Sequence, residues 1–182
     1  MFELMARLLL NKQIKLEEGR MEVLGIRDSF TPLDTYIQIQ KEIINLKGED
    51  FIYQSAKKAG FNWFQKMAKN FSGLTQEKAS NWGVDLIALS GWGIAKAEKL
   101  DFKNNTGKYI LENSIIARNY GVANKPVDHL FRGLLAGGMS FATKVDIDCI
   151  ELTCVALGDS RCEFFVGPKD MVEKYSLKKL KF

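Results

Sequence analysis

The sequence predicts an α+β fold in which an antiparallel sheet is packed against helices within one domain, residues 1–182. Two pairs of strand-like runs are each joined by a short turn, and segments with helical spacing of apolar residues surround them. No internal repeat, low-complexity tract or obvious linker divides the chain. With 182 residues, 46% of them hydrophobic, the chain is long enough to bury a core without disulfide or metal staples.

The net charge of +4 is concentrated at one end of the sequence. Residues 169–182 carry five Lys against Asp170 and Glu173, so they contribute +3 and the remaining residues only +1. We therefore expect no nucleic-acid partner, and we expect this Lys-rich segment to be a solvated, frayed terminus. Three Cys without an export signal indicate a reducing, cytoplasmic location, and no apolar run is long enough for a membrane span.

The first quarter of the chain predicts a helix, a hairpin and a longer helix. Residues 1–10 have apolar side chains at helical spacing, and period-2 alternation around Glu18-Gly19 predicts two short strands within residues 14–24. Thr31-Pro32 then supplies a capping hydroxyl and a proline for the first helical position. We expect the helix that follows to end at Gly48.

The middle of the chain predicts two further helices and a pair of strands. Apolar spacing favours a helix over residues 49–71, which Gly60 is expected to bend, and another over residues 75–90. Residues 93–103 and 109–120 are strand-like. The turn cluster at residues 104–107 predicts that these two strands pair in antiparallel fashion.

The last third of the chain predicts a helix followed by a hairpin. Lys125-Pro126 is typical of a helix start, and Gly133, Gly137 and Gly138 predict that this helix approaches a neighbouring backbone closely. Residues 144–156 and 161–166 are rich in β-branched and apolar side chains. The turn at residues 158–160 predicts that they form the second hairpin.

The second hairpin brings together residues that are able to bind a metal. If the turn is centred on Gly158, Cys154 and Cys162 lie opposite each other, and in a reducing compartment two facing thiols favour a soft metal over a disulfide. Glu151 adds an oxygen ligand if the strand twists or bulges, because unmodified alternation puts Glu151 and Cys154 on opposite faces. The alternative is that Cys149, Cys154 and Cys162 are small core residues.

The same residues carry a resemblance to a known family. The chain resembles 4-vinyl reductase domains, whose closing motif is E-x-x-C-x-x-x-G-x-x-x-C-x-F, in the run Glu151-Leu-Thr-Cys154-Val-Ala-Leu-Gly158-Asp-Ser-Arg-Cys162-Glu-Phe. Residues 126–137, Pro-Val-Asp-His-Leu-Phe-Arg-Gly-Leu-Leu-Ala-Gly, are similar to the P-V-C-[HW]-x-x-x-G-x-x-x-G helix of the family. The likeness is specific over residues 108–166. It is to the archaeal stand-alone type, because the ATPase and DNA-binding domains that accompany the sensor members of the family are not seen here.

The resemblance implies a zinc site. In the sensor members the ligands are the Cys that opens the helix, the Glu and the two hairpin Cys, and Glu151, Cys154 and Cys162 match the last three. The residue aligned with the first ligand is Asp128. The resemblance favours Asp128 as the fourth ligand, whereas softer-donor chemistry favours its neighbour His129, so both remain candidates. Four protein ligands leave no open coordination position, and the zinc is therefore expected to be structural.

The resemblance also implies a ligand pocket between the helices and the sheet. The sensor members bind aromatic hydrocarbons there, and related trafficking-complex subunits of the same fold enclose an acyl chain. Residues 111–117 are similar to the W-x-x-S-x-E-A pattern of the sensors, although Leu111 replaces the aromatic residue. By this resemblance we expect Leu111, Ser114, Phe131 and Arg132 to contact the ligand.

Together these features favour a protein that binds an apolar or aromatic small molecule and contains a structural zinc site. One alternative is a reductase that acts on a vinyl-type substrate with a cofactor the sequence does not reveal; the sequence contains no P-loop, dinucleotide fingerprint or hydrolase triad, and it assigns no catalytic residue. Another alternative is a dimeric protein-interaction scaffold. Residues 1–30 carry more apolar surface than a short helix and hairpin readily bury, so we expect a homodimer through this segment.

Overall fold

A four-stranded antiparallel sheet with helices packed against it forms the centre of the protein, which confirms the predicted α+β class. The structure is a computed structural model that describes residue 10, residues 14–69 and residues 76–179. Apart from Leu10, the helix predicted over residues 1–10 lies outside the described residues. Within the described residues, every helix is too short or too polar to serve as a membrane span.

Three short strands form an antiparallel meander near the start of the described chain: β1 (Ile14–Glu17), β2 (Arg20–Val23) and β3 (Ile26–Asp28). The predicted hairpin is confirmed, and Gly19 in its turn has a φ of 68°. The third strand was not expected from the alternation. It follows a turn in which Leu24 and Gly25 both have positive φ, 56° and 76°, as a two-residue type I′ turn requires. Leu24 is buried with Met67 and Leu86, so the meander packs against its own domain.

Three helices follow the meander: α1 (Leu33–Lys47), α2 (Glu49–Ala68) and α3 (Gln76–Leu89). Gly48, with a φ of 84°, ends α1 and starts α2, as the sequence predicted. The predicted hydroxyl cap at Thr31 is wrong, because Pro32 occupies the N-cap position and no side chain caps the helix. The proline still restricts the backbone just before the first helical residue.

The central sheet contains four strands in the order β4-β5-β7-β6: β4 (Ile94–Asp101), β5 (Thr106–Glu112), β6 (Ile147–Thr153) and β7 (Cys162–Pro168). All three pairings are antiparallel, and both predicted strand pairs are present. The strand predicted over residues 109–120 is wrong in its second half, where the short helix α4 (Ile115–Asn119) lies. Asn113 turns the backbone with a φ of 56°, and the Ser114 hydroxyl then caps α4 by accepting a hydrogen bond from the Ala117 N–H at 3.1 Å.

Helix α5 (His129–Thr143) begins later than the start predicted at Lys125-Pro126. The preceding peptide groups are bound to tertiary partners. The buried side chain of Gln40 donates to the Val127 carbonyl at 2.9 Å, and the Asp128 N–H donates to a carboxylate of β6 at 3.0 Å. These contacts hold the segment before α5 in a non-helical conformation.

The last described element is helix α6 (Lys169–Lys179), which directly follows β7. The expectation of a solvated, frayed terminus is therefore wrong for these residues. Val172 is buried, and the Tyr175 ring stacks on Phe165 with 4.2 Å between the ring centroids. The apolar side of α6 thus lies against the sheet despite its high Lys content.

Helices α2 and α5 approach each other along the small residues of α5, as the glycine spacing predicted. A Cβ atom at Gly133 would lie 2.6 Å from the Tyr53 carbonyl oxygen, and one at Gly137 would overlap the Lys57 carbonyl. A Cβ at Gly138 would lie 2.5 Å from the Phe64 ring. Only glycine fits at these positions without displacing the neighbouring backbone or ring.

Candidate metal centre

Four side chains from three parts of the fold meet beside the start of α5. Asp128 immediately precedes α5, Glu151 lies on β6, Cys154 follows β6, and Cys162 begins β7. Each offers one ligand atom, and these atoms all lie within 4.8 Å of one another. Asp128, Cys154 and Cys162 are fully buried, and Glu151 is partly buried. We call these four residues the donor cluster.

The hairpin has the irregularity that the sequence analysis required. The register between β6 and β7 shifts between Glu151 and Thr153, so Glu151 reaches the same spot as Cys154 despite the three-residue spacing. Cys154 opens a single 3₁₀ turn, and its N–H donates to the Asp159 carboxylate at 2.8 Å. Gly158 closes the turn with a φ of 94°. Local turn chemistry therefore orients the backbone at Cys154.

Asp128 is held in place from two sides. Its Oδ1 atom accepts a hydrogen bond from the Ser114 hydroxyl at 2.8 Å, and its N–H donates to Oε2 of Glu151 at 3.0 Å. Asp128 occupies the N-cap position of α5 but makes no capping hydrogen bond there. Oδ2 of Asp128 and Oε1 of Glu151 are both buried and have no hydrogen-bond partner among the described residues. Such orphaned oxygens are costly unless a cation or a proton satisfies them.

The acidities of the four groups are strongly shifted by their shared burial. Burial, reinforced by the Asp128 charge and the Cys154 thiol, raises the pKa of Glu151 to about 10. Burial also raises the pKa of Asp128 to about 6, although its hydrogen bonds with Ser114 and Cys162 oppose the shift. The hydrogen bond with Cys162 lowers the pKa of Cys154 to about 5, whereas that same contact and burial raise the pKa of Cys162.

At neutral pH these directions leave Glu151 and Cys162 protonated and Asp128 and Cys154 charged. A buried site with two negative charges and two protons closely spaced is chemically suited to exchange those protons for one divalent cation. The donor set, two sulfurs and two carboxylates, fits such an ion without further ligands.

Charge compensation at the cluster comes from nearby dipoles. The Val155 N–H lies 3.4 Å from the Cys162 sulfur, and the positive end of the α5 dipole faces Asp128. The two cations near the cluster in sequence are engaged elsewhere. Lys125 Nζ is 3.7 Å from Glu49, and an Arg161 nitrogen is 2.6 Å from Glu163.

His129, the second candidate for the fourth ligand, is not among the clustered donors. It is 6% exposed, and its Nε2 atom lies 4.0 Å from a carboxylate oxygen of Glu49 at the start of α2. Its Nδ1 atom is buried without a hydrogen-bond partner in the described structure. Burial and the nearby Arg132 charge lower the pKa of His129 to about 4, so the imidazole is neutral at neutral pH.

The four residues expected to contact a ligand lie in different surroundings. Leu111 and Phe131 belong to the apolar core, where the Phe131 ring lies 4.9 Å from that of Phe164. Ser114 is buried and bonded to Asp128, so it orients a member of the donor cluster. Arg132 lines a cleft beside the cluster and places its guanidinium 4.4 Å from the Tyr53 ring centroid.

Sequence reasoning missed this cleft, which has a volume of about 390 Å³ and opens next to the donor cluster. Its wall combines the start of α2, the first turn of α5, β6 and α6. Tyr53 supports Arg132 from a helix 79 positions earlier in the chain, and no local pattern indicates that contact. Only the unusually polar first turn of α5, with its adjacent basic residues, offered a signal.

Comparison with protein families identifies the segment that contains this site. Residues 108–168 match the family model of the vinyl-4-reductase (V-4-R) domain. No curated protein sequence matches the chain. The match includes all four members of the donor cluster. The chain therefore carries a domain of this family, and its resemblance to 4-vinyl reductase domains is confirmed.

Solved structures show the same fold over most of the chain. The phenol-responsive sensory domain of the transcription activator PoxR, solved with phenol, is 18% identical with a TM-score of 0.76, and the match covers 93% of each chain. A vinyl-4-reductase family protein from Methanocaldococcus jannaschii is 17% identical with a TM-score of 0.54, covering 76% of this chain and 82% of that one.

A third structure extends the likeness to another kind of protein. Trafficking protein particle complex subunit 3 from Naegleria fowleri, covalently bound to palmitic acid, is 14% identical with a TM-score of 0.54. The match covers 75% of this chain and 95% of that chain. At these identities the three likenesses establish the fold, and the chemistry of this chain must be argued from its own residues.

Proposed function

We propose that the protein binds an apolar or aromatic small molecule and that a structural zinc ion joins its closing hairpin to the start of α5. The observation that carries the metal proposal is the donor cluster, in which Asp128, Glu151, Cys154 and Cys162 place ligand atoms within 4.8 Å of one another. The fold shared with a phenol-responsive sensory domain over 93% of both chains supports small-molecule binding.

Zinc suits this donor set better than the common hard cations. Two thiolates are soft ligands, which calcium and magnesium avoid, and zinc accepts sulfur and carboxylate oxygen together in a tetrahedral site. With Asp128 and Glu151 as the oxygen ligands, all four positions are filled by protein. A bound zinc ion would therefore supply cross-linking energy between α5 and the hairpin rather than activate a water molecule.

Metal content tests the structural zinc directly. Protein purified without chelator should contain about one zinc per chain, and Cys154→Ser combined with Cys162→Ser should abolish it. Cys149→Ser is the matched control: Cys149 is equally buried but lies outside the donor cluster, so this variant should retain its zinc. Absence of metal from the wild-type protein, or a disulfide between Cys154 and Cys162 under reducing conditions, would contradict the proposal.

The interior beside the sheet supports an apolar or aromatic ligand. Phe131 on α5 lies between Trp92, with 6.5 Å between ring centroids, and Phe164 on β7, at 4.9 Å. Aromatic walls of this kind favour flat, apolar molecules. Native mass spectrometry of freshly purified protein should detect a copurified small molecule, and aromatic hydrocarbons such as toluene should raise the Tm.

Substitution within the aromatic wall provides the control for that experiment. Phe131→Leu should reduce the Tm increase caused by toluene, whereas replacement of an exposed aromatic residue, Phe30→Leu, should leave it unchanged. No Tm increase with any apolar compound, together with no copurified molecule, would instead favour a scaffold role for the domain.

We further propose that the protein is a homodimer through its N-terminal segment. Leu16 of β1 is 68% exposed and Phe30 is 88% exposed, although other residues of the meander pack on the helices. A second copy would cover these side chains in an isologous contact. Light scattering should show a dimer for the full chain and a monomer for a chain starting after Ser29. A monomeric full chain would refute the dimer.

A further inference from the structure

The cleft beside the donor cluster has the size and lining of a small-molecule site. Its volume of about 390 Å³ falls in the lower part of the range typical of ligand pockets. Pro126 and Ile150 provide apolar wall, and Arg132 and His129 of α5 provide polar groups. The cleft lies outside the aromatic interior around Phe131.

Arg132 brings an uncompensated positive charge to this cleft. Its guanidinium stacks over the Tyr53 ring, and its Nε atom is buried without a hydrogen-bond partner among the described residues. Of the carboxylates that the structure describes, none forms an ion pair with it. A planar guanidinium held against a ring has a fixed edge, which is suited to bidentate contact with a carboxylate.

His129 adds a second unsatisfied group on the same wall. It is 6% exposed, it lines the cleft, and its Nδ1 atom has no partner in the described structure. Arg132 lies three residues after His129, so both side chains project from the first turn of α5 on neighbouring positions of one helix face. Two buried, unsatisfied nitrogen atoms at one cleft indicate that a ligand completes their hydrogen bonds.

The other charges at the cleft limit the charge of that ligand. Lys125 is already compensated by Glu49, whose carboxylate lies 3.7 Å from its ammonium group. Glu151 also lines the cleft and would repel a highly charged anion. Arg132 therefore remains as the one free cation of the described lining, which matches a monoanion better than a phosphate dianion.

We propose that this cleft binds a small monocarboxylate with an apolar body, its carboxylate on Arg132, a further hydrogen bond to His129 and its apolar part against Pro126 and Ile150. This site is separate from the apolar interior assigned above. Because Glu151 contributes to both the cleft and the donor cluster, bound carboxylate lies next to the metal-binding hairpin.

Protein-observed NMR titration of the full chain with benzoate tests the site. Benzoate should bind with a dissociation constant of about 1 mM or tighter, and shifts should concentrate at residues 125–132 and 150–152. Benzamide, which has the same shape without the charge, and inorganic phosphate should each bind at least about tenfold more weakly. Zinc content is measured on every sample, so that loss of the donor cluster is recognised separately.

Two substitutions of Arg132 and one control complete the experiment. Arg132→Gln should weaken benzoate binding by about tenfold or more, and Arg132→Lys, which keeps the charge but loses the fork, should weaken it less. Arg118→Gln removes an exposed arginine on α4 and should leave binding within about twofold. Equal binding of benzoate and benzamide, unchanged binding in both Arg132 variants, or shifts centred on Phe131 and Phe164 would overturn the proposal.

Discussion

Helix α5 is held at two places by opposite means. Along its middle, Gly133 and Gly137 let the backbone of α2 come so close that no Cβ atom fits between the two helices. At its start, Asp128 lies among three other acidic donors, and two buried carboxylate oxygens lack partners among the described residues. The first contact depends on the absence of side chains, and the second depends on particular side chains brought together.

The difference shows which contact is complete in the polypeptide itself. The glycine contact gains van der Waals packing between close backbones and needs nothing further. The donor cluster concentrates groups that repel one another when charged, so it needs protons or a cation to be stable. Substitutions in the two regions should therefore differ in whether added zinc changes their effect.

The largest loss of stability is expected at the glycine contact. Gly137→Ala places a Cβ against the Lys57 carbonyl, and we expect the free energy of unfolding to fall by about 3 kcal/mol despite the higher helix propensity of alanine. Gly83→Ala on α3 is the control, because its Cβ would lie an ordinary 3.4 Å from the Phe64 ring. Urea denaturation, with and without zinc, provides the measurement. A Gly137→Ala protein as stable as wild type would show that the helices separate easily.

The next largest effect is expected at the donor cluster and should appear in zinc affinity. Asp128→Ala removes a clustered oxygen and should lower zinc affinity by more than about 100-fold, whereas His129→Ala should change it by less than about threefold. Competition with a chromophoric chelator measures both variants. The reverse ranking would make His129 the fourth ligand, and full retention in both variants would exclude a ligand at the start of α5.

The smallest effect is expected for the residue that orients Asp128. Ser114→Ala removes both the cap of α4 and the 2.8 Å hydrogen bond to Asp128, so we expect a loss of about 1 kcal/mol and about tenfold weaker zinc binding. Ser140→Ala on α5 removes a buried hydroxyl that bonds to Ala136 and not to the cluster. It should lower stability without changing zinc affinity. Equal zinc affinities in the two variants would remove Ser114 from the site.

Much of the candidate site was predictable because its chemistry is local in the sequence. Cys154, Cys162 and the Gly158 turn lie within nine residues, so hairpin geometry alone brings the thiols together. The need for a bulge near Glu151 followed from strand alternation, and the register shift confirms it. The glycine spacing on α5 similarly predicted a close helix approach.

The predictions that were wrong concern segments whose hydrogen bonds go to distant partners. The late start of α5 depends on Gln40, far away in α1, and the packing of α6 depends on Phe165 of β7. Residues 113–119 have strand-like composition, yet a positive φ at Asn113 and the Ser114 cap make them turn into α4. In each case a tertiary contact or a single backbone angle outweighs local propensity.

The sequence alone determined the α+β class, the two hairpins, the glycine contact and the set of possible metal ligands, because each depends on residue spacing within one or two elements. The tertiary structure decided that Asp128 rather than His129 lies in the donor cluster, and that Arg132 rests on Tyr53 at the edge of a cleft. Adjacent residues at a helix start point in different directions, and only the packing of α2, α4 and β6 around that start selects which one meets the thiols.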